Sequence, residues 1–188
     1  MIYYTSDQHF DHTNVIKFDN RPFSSVEEMN EILVNKWNET VTKQDTVYIL
    51  GDFCWGKADR YRYFLSKLNG TKVLITGNHD LKTFPADIKN MLSDTREFKF
   101  IKDNDRGVIL CHYPIPFYQA DYSNEQYMLY GHLHGTIEED FMRYFKKYVK
   151  QHDGRGESAC KCNVYPVFCG FYDWKPVTLN QIIERWRE

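Results

Sequence analysis

Five short runs of apolar and β-branched residues in this chain each end in a turn that presents imidazole, carboxylate or amide side chains. Ile2-Tyr3-Tyr4-Thr5 runs into Asp7-Gln8-His9, Thr46-Val47-Tyr48-Ile49-Leu50 into Gly51-Asp52, and Val73-Leu74-Ile75-Thr76 into Gly77-Asn78-His79-Asp80. Val108–Leu110 leads to His112, and Tyr127–Tyr130 to Gly131-His132-Leu133-His134. Runs of this length bounded by turn residues read as strands. In α/β proteins the loops that follow strands are where ligands bind, because the carboxyl ends open onto a crevice. A chain with five such endings is constrained to a fold that gathers strand ends along one edge.

The segments between the runs supply the rest of that fold. Ser24 and Ser25, each three residues ahead of Glu27 or Glu28, form a helix-start signature. The helix carries Met29, Ile32, Leu33 and Trp37 on one face and is predicted to run to about Thr42. Tyr61, Phe64, Leu65 and Leu68 give a second helix, with Asn69-Gly70 as its stop. This β-α-β-α-β order predicts a mostly parallel sheet with helices on its faces. The second half is less regular. Phe98, Phe100 and Ile101 pair with Val108–Leu110 around the turn cluster at 103–107, and Val164–Phe168 adds a strand. Ile137 to about Gln151 reads as an ordinary amphipathic helix. Phe141, Tyr144, Phe145 and Tyr148 form its periodic face, basic residues lie between them, and Glu138, Glu139 and Asp140 complement its dipole. Leu179–Trp186 is predicted as a closing helix. No linker, repeat or low-complexity segment interrupts the chain, so residues 1–188 are read as a single domain.

Composition narrows the class. A net charge of −2 gives no overall field to draw in nucleic acid. No apolar run reaches membrane-spanning length, and the first residues lack the pattern of a secretory leader. Five cysteines without framework spacing fit reduced thiols, so the expected location is cytoplasmic. Cys160-x-Cys162, with His152 and Cys169, has a loose zinc-site composition but irregular spacing, and reads as structural thiols.

Six of the seven histidines lie in or beside the five endings; only His152 does not. Singly, each ending is an ordinary turn or a satisfied imidazole. Jointly they are not, because independent turns have no reason to select metal-binding side chains together. Histidine, carboxylate and amide donors without thiolate suit Mn²⁺, Fe²⁺, Ni²⁺ or Zn²⁺ rather than a cysteine-type structural zinc. Asp7 and His9, two apart, can turn to one ion, and Asp52 can bridge two. His132 and His134 straddle Leu133, so each can reach a different one.

In order, spacing and strand context, Asp7-x-His9, Gly51-Asp52, Gly77-Asn78-His79-Asp80, His112 and Gly131-His132-Leu133-His134 resemble the calcineurin-like metallophosphoesterases, over residues 1 to about 135. Asp7 to Ile16, Arg21-Pro22-Phe23, Asn163-Val164 and Lys175 to Leu179 are similar to small bacterial and phage members. The resemblance implies an α/β fold, a four-layer α/β/β/α sandwich of mixed sheets, around two divalent metal ions, Mn²⁺ foremost and Fe, Ni or Zn as alternatives. By the family pattern, one metal takes Asp7, His9, Asp52 and His134. The other takes Asp52, Asn78, His112 and His132. His79 faces the substrate as a catalytic group, and Asp80 is its expected orienting partner.

The activity this implies is hydrolysis of phosphoric esters, foremost of a nucleotide-type phosphodiester, with a nucleotide or nucleic-acid end as substrate. A phosphomonoesterase is the alternative. Its protein-phosphatase form is disfavoured, because Phe53-Cys54 follows Gly51-Asp52 where that branch carries Asp-Arg-Gly, and Asp80 replaces its Glu. A non-catalytic scaffold is disfavoured because every expected position is filled. Substrate contacts are expected from His12, Asn14, Arg21 as a phosphate ligand, and Trp55 or Phe53 as stacking surfaces. Tyr113 and Pro114-Ile115-Pro116 are expected at the rim.

Overall fold

The computed structural model describes residues 1–186. Its first half runs β1 (Ile2–Thr5), α1 (Val15–Phe18), α2 (Val26–Thr40), β2 (Thr46–Ile49), α3 (Ala58–Lys67), β3 (Thr71–Ile75), α4 (Ala86–Met91) and β4 (Asp94–Arg96). Helix α2 starts at the serine pair: Ser25 Oγ accepts from the Glu28 N–H at 3.2 Å, and the Glu28 carboxylate accepts from the Ser24 N–H at 2.6 Å. Its Met29, Leu33 and Trp37 are buried. Strands β1 to β4 pair in that order and are all parallel. This is the mostly parallel sheet expected from the β-α-β-α-β order. Every strand-to-strand connection passes through a helix, and a helical crossover returns the chain in the same direction. The short α4 and β4 had no periodic apolar signal in the sequence.

The second half runs β5 (Phe98–Asp103), β6 (Arg106–Cys111), β7 (Gln126–Tyr130), α5 (Ile137–His152), β8 (Val164–Pro166) and α6 (Leu179–Trp186). Strands β5 and β6 form the predicted antiparallel hairpin, while β6, β7 and β8 are parallel, so this sheet is mixed.

Strand alternation sends successive residues to opposite faces, and three apolar clusters show the layers. Tyr3, Val47, Ile49 and Leu74 pack under Met29, Trp37 and Phe64. Tyr4, Leu50 and Ile75 meet Val108, Leu110 and Leu129 between the sheets. Ile109, Met128 and Val164 pack against Met142 of α5. This is the four-layer α/β/β/α sandwich. Helix α6 does not cover a face. Leu179 and Ile182 enter the core between the sheets, and the preceding Val177 pairs with Tyr4.

Helix α5 departs most from expectation. Phe141, Tyr144 and Tyr148 are exposed, whereas Glu139, Met142 and Lys146 face the sheet and are buried. The polar pair is accommodated by specific partners. Tyr130 Oη donates to Glu139 at 2.9 Å, and Lys146 Nζ stands 4.3 Å from the Tyr165 ring centroid.

Candidate metal centre

Strand register brings Asp7, His9, Asp52, His112 and His134 together, while the His132 imidazole stays outside their grouping, its ring 5.0 Å from that of His112. Thr5 pairs with Ile49, and Ile49 with Leu74, so β1, β2 and β3 end level. Beyond those ends the Asp7 N–H donates to the Gly51 carbonyl and the His9 N–H to the Asp52 carbonyl, each at 3.0 Å. The second sheet reaches the same place: the His132 N–H donates to the Asp7 carboxylate at 3.1 Å. Asp7, His9, Asp52, His132 and His134 all hold positive φ, at 57°, 50°, 53°, 72° and 49°. Non-glycine residues seldom adopt this conformation, and where it clusters it marks a functional site held by its surroundings. The approach is also too close for a side chain at Gly131. A Cβ there would lie 2.7 Å from Asp7 Oδ2 and 2.8 Å from the Leu50 carbonyl oxygen.

The donor atoms converge in two groups, Asp7 with His9 and His134, and Asp7 with Asp52 and His112, each with ligand atoms within 4.8 Å of one another. Asp52 Oδ2 lies 3.5 Å from His9 Nε2 and 3.6 Å from His112 Nε2, between the two imidazoles. Lone pairs face lone pairs here. The His112 Nδ1 contact with the Leu50 carbonyl, at 2.8 Å, requires a proton on Nδ1. In the neutral ring Nε2 then turns an acceptor towards Asn78 Oδ1 at 3.0 Å. His134 repeats the pattern, with Nδ1 2.8 Å from the Asp19 carboxylate and Nε2 3.3 Å from Asp7 Oδ1. Such an arrangement demands extra protons or cations. The protein's own charges register it: burial opposes a charge on His134, yet Asp7 and Asp19 outweigh that and push it up to about 10. Burial, with Asp7 nearby, pushes Asp52 up to about 6. Burial also opposes the charge on Asp7, but His134, His112 and His9 hold that carboxyl well below the usual range. Divalent cations meet the same demand without protons, and the donor chemistry fits them.

Two expected site residues prove to be supports. Asp80 does not orient His79. Its carboxylate is buried and accepts from the N–H groups of Asp52 at 2.9 Å, Phe53 at 3.0 Å and Gly77 at 2.8 Å, and from Tyr61 Oη at 2.7 Å. It thereby ties the loop after β2 to the loop after β3. Arg21 is not an open phosphate contact either. Its side chain is fully buried, pairs with Asp19 at 2.8 Å, and donates to the Gln8 carbonyl at 2.9 Å and the Asp7 carbonyl at 3.0 Å. Asp19, the orienting carboxylate for His134, escaped the sequence reading; its only signal was an acid inside the loop 8–23. Tyr61→Phe removes one bond to Asp80 and is expected to cost about 1 kcal/mol. That corresponds to roughly 2–4 °C in melting temperature for a domain of this size. An unchanged melt would mean that the Asp80 fork does not depend on the phenol.

On the open side, His79 is exposed, with its ring 4.9 Å from Trp55 and 5.7 Å from His9. Its backbone N–H, not its imidazole, donates to Asp52 Oδ1 at 2.9 Å. Trp55 is exposed and stacks on His12 at 4.2 Å, and burial pulls the His12 pKa down. The His12 Nδ1 is buried without a partner among the described residues. Tyr113 stands at the rim, 4.7 Å from His132. Phe53 is buried between Phe10 and Tyr61 and is therefore not a stacking surface. Asn14 is exposed at the start of α1 with no capping bond, and among the described residues nothing brings its side chain to the centre. Cys160 and Cys162 lie close, with sulfurs 3.5 Å apart, but His152 turns instead to the Tyr148 carbonyl.

A family profile described as calcineurin-like phosphoesterase matches residues 1–147, which include every candidate donor. The chain belongs to the calcineurin-like phosphoesterases. An uncharacterized protein of Methanocaldococcus jannaschii is 39% identical to this phosphoesterase over 137 residues, 72% of this chain and 70% of that protein. The gene 66 protein of Mycobacterium phage D29 is 27% identical, covering 72% of this chain and 79% of its own. The crystal structure of a protein of unknown function from Aquifex aeolicus is similar in fold, with a TM-score of 0.69 and 22% identity across 98% of both chains. The phosphoesterase is thus a hydrolase of phosphoric esters, and its family implies divalent metal ions. Among the described residues, no helix is long and apolar enough to cross a membrane.

Proposed function

We propose that this phosphoesterase is a phosphodiesterase with two divalent ions, Mn²⁺ foremost, acting on a nucleotide or a nucleic-acid end. In this reading Asp7, His9, Asp52 and His134 hold one ion, and Asp52, Asn78, His112 and His132 the other. The position of Asp52 Oδ2 between His9 and His112 supports its shared role. When bound, the ions supply Lewis-acid polarisation of the phosphoryl oxygens and acidify the attacking water. Asp19 and the Leu50 carbonyl keep the His134 and His112 tautomers that leave the Nε2 lone pair free to hold an ion. His79, on the open side, carries the proton to the leaving oxygen. Trp55, stacked on His12 beside His79, offers a flat surface to a base or an aryl leaving group.

The preference for a diester rests on one observation. Two of the arginines near the ligand loops are engaged: Arg21 behind Asp7, and Arg60 with Asp11. Neither is placed to neutralise the second charge of a monoester, whereas a diester carries only one. Chelated protein reloaded with Mn²⁺, Ni²⁺, Mg²⁺ or Zn²⁺ is expected to hydrolyse bis-p-nitrophenyl phosphate faster than p-nitrophenyl phosphate. Turnover of the monoester alone would overturn the assignment to diesters.

A further inference from the structure

The outward face of α5 has the pattern of a helix seam without its partner. Ile137, Phe141, Tyr144 and Tyr148 are 82%, 64%, 64% and 50% exposed, and they follow one another at intervals of four, three and four residues. That interval is the a/d repeat of a coiled coil. The positions opposite the seam, Glu139 and Lys146, are those that α5 buries. A helix that turns its charged side chains to its own sheet and its aromatic side chains outward is locally inconsistent with the fold as a lone chain. Phe117, 57% exposed and set edge-on to Phe145 at 5.5 Å, extends the apolar surface beside the seam. Large apolar side chains exposed together on one helix face point to an interaction surface.

We propose that α5 pairs antiparallel with α5 of a second copy of this chain, across a two-fold axis. The charges beside the seam choose this occupant and this direction. The helix opens with Glu138 and Asp140 and carries Lys147 further along. Stacking Phe141 on Tyr144 of the second copy, and Ile137 on Tyr148, brings the acidic start of each helix beside Lys147 of the other. Symmetry makes this contact twice, as a self-complementary interface requires. A parallel pair would instead set the two acidic starts side by side. The intrachain alternative for Asp140 is a contact with Arg143 at 3.8 Å, on an exposed surface where such pairs hold little.

Sedimentation equilibrium of the full chain, over a concentration series, is the test. The expected result is a monomer–dimer equilibrium with a limiting mass twice the 22.6 kDa of one chain. Phe141→Glu and Tyr144→Glu are expected to leave a folded monomer whose thermal melt matches that of the parent at concentrations where the parent is itself monomeric, because both positions are exposed on the single chain. Lys147→Asp, which makes both flanking contacts repulsive, is expected to weaken the dimer about tenfold. Adding Asp140→Lys to it, which restores opposite charges only in the antiparallel arrangement, is expected to recover the lost affinity. A monomer at every concentration would overturn the proposal, as would a dimer indifferent to Phe141→Glu and Tyr144→Glu. So would a chain that stays monomeric and instead cosediments with anionic lipid vesicles. Failure of the Asp140→Lys rescue would overturn the antiparallel pairing.

Discussion

Asp52→Asn is expected to lower metal-dependent phosphoester hydrolysis by about 1,000-fold, with bound metal lost in parallel. The carboxylate divides its work: Oδ1 accepts the His79 N–H at 2.9 Å, while Oδ2 stands between His9 and His112. An amide can keep the first bond, but its NH₂ then points at two imidazole acceptors and occupies the place of a cation. The fold should survive. Burial raises the Asp52 pKa to about 6 in the folded chain, above its ordinary value of 3.8. A buried carboxyl with a raised pKa favours the folded state when protonated and withdraws that contribution as pH rises from about 4 through 6. Above that window the neutral amide carries no such penalty. With chelator present at pH 8, Asp52→Asn should melt at the parent's temperature or above it. Metal analysis, initial rates and the melt together check this. Full metal content with the parent rate would remove Asp52 from the centre.

His79→Ala is expected to retain metal and lose about 10²- to 10⁴-fold in kcat, the range for removing a positioned proton donor. The reasoning separates backbone from side chain. The His79 N–H holds Asp52, and alanine supplies the same N–H. The imidazole lies on the open face beside Trp55, outside both groups of converging donors. Metal content and kcat should therefore part company in this variant, whereas in Asp52→Asn they fall together. Loss of metal in His79→Ala would make the imidazole a ligand and return the proton-donor role to another group.

The donors were legible before the fold was seen because their signal is local. A strand's apolar run, the glycine that ends it and the donor that follows lie within a few residues, and parallel pairing in register then sets the ends side by side. Asp7, His9, Asp52, His112 and His134 converge in this way and Asn78 Oδ1 lies against His112 Nε2, whereas the His132 imidazole is outside both groups. Arg21, Asp80 and α5 fell outside that local signal. Arg21 reads in sequence as a loop arginine open to phosphate, yet it points inward to the carbonyls of Asp7 and Gln8. Asp80 sits beside His79 in sequence but spends its carboxylate on Asp52, 28 residues away. The aromatic side of α5 has the period of a buried face, and the structure turns it to solvent.

The sequence by itself determined which chemistry the chain can do: the strand-end positions, the choice of imidazole, carboxylate and amide over thiolate, and the layered α/β architecture. Those properties are carried by residue type and short-range periodicity. Only the tertiary structure decided what the long polar side chains serve. Asp19 meets His134 across 115 residues, and Tyr130 donates to Glu139 through the packing of α5 on its sheet. The physical reason is one of reach. A carboxylate or guanidinium is directed by whichever unpaired donors and acceptors burial places around it, and those are known only once distant segments have met.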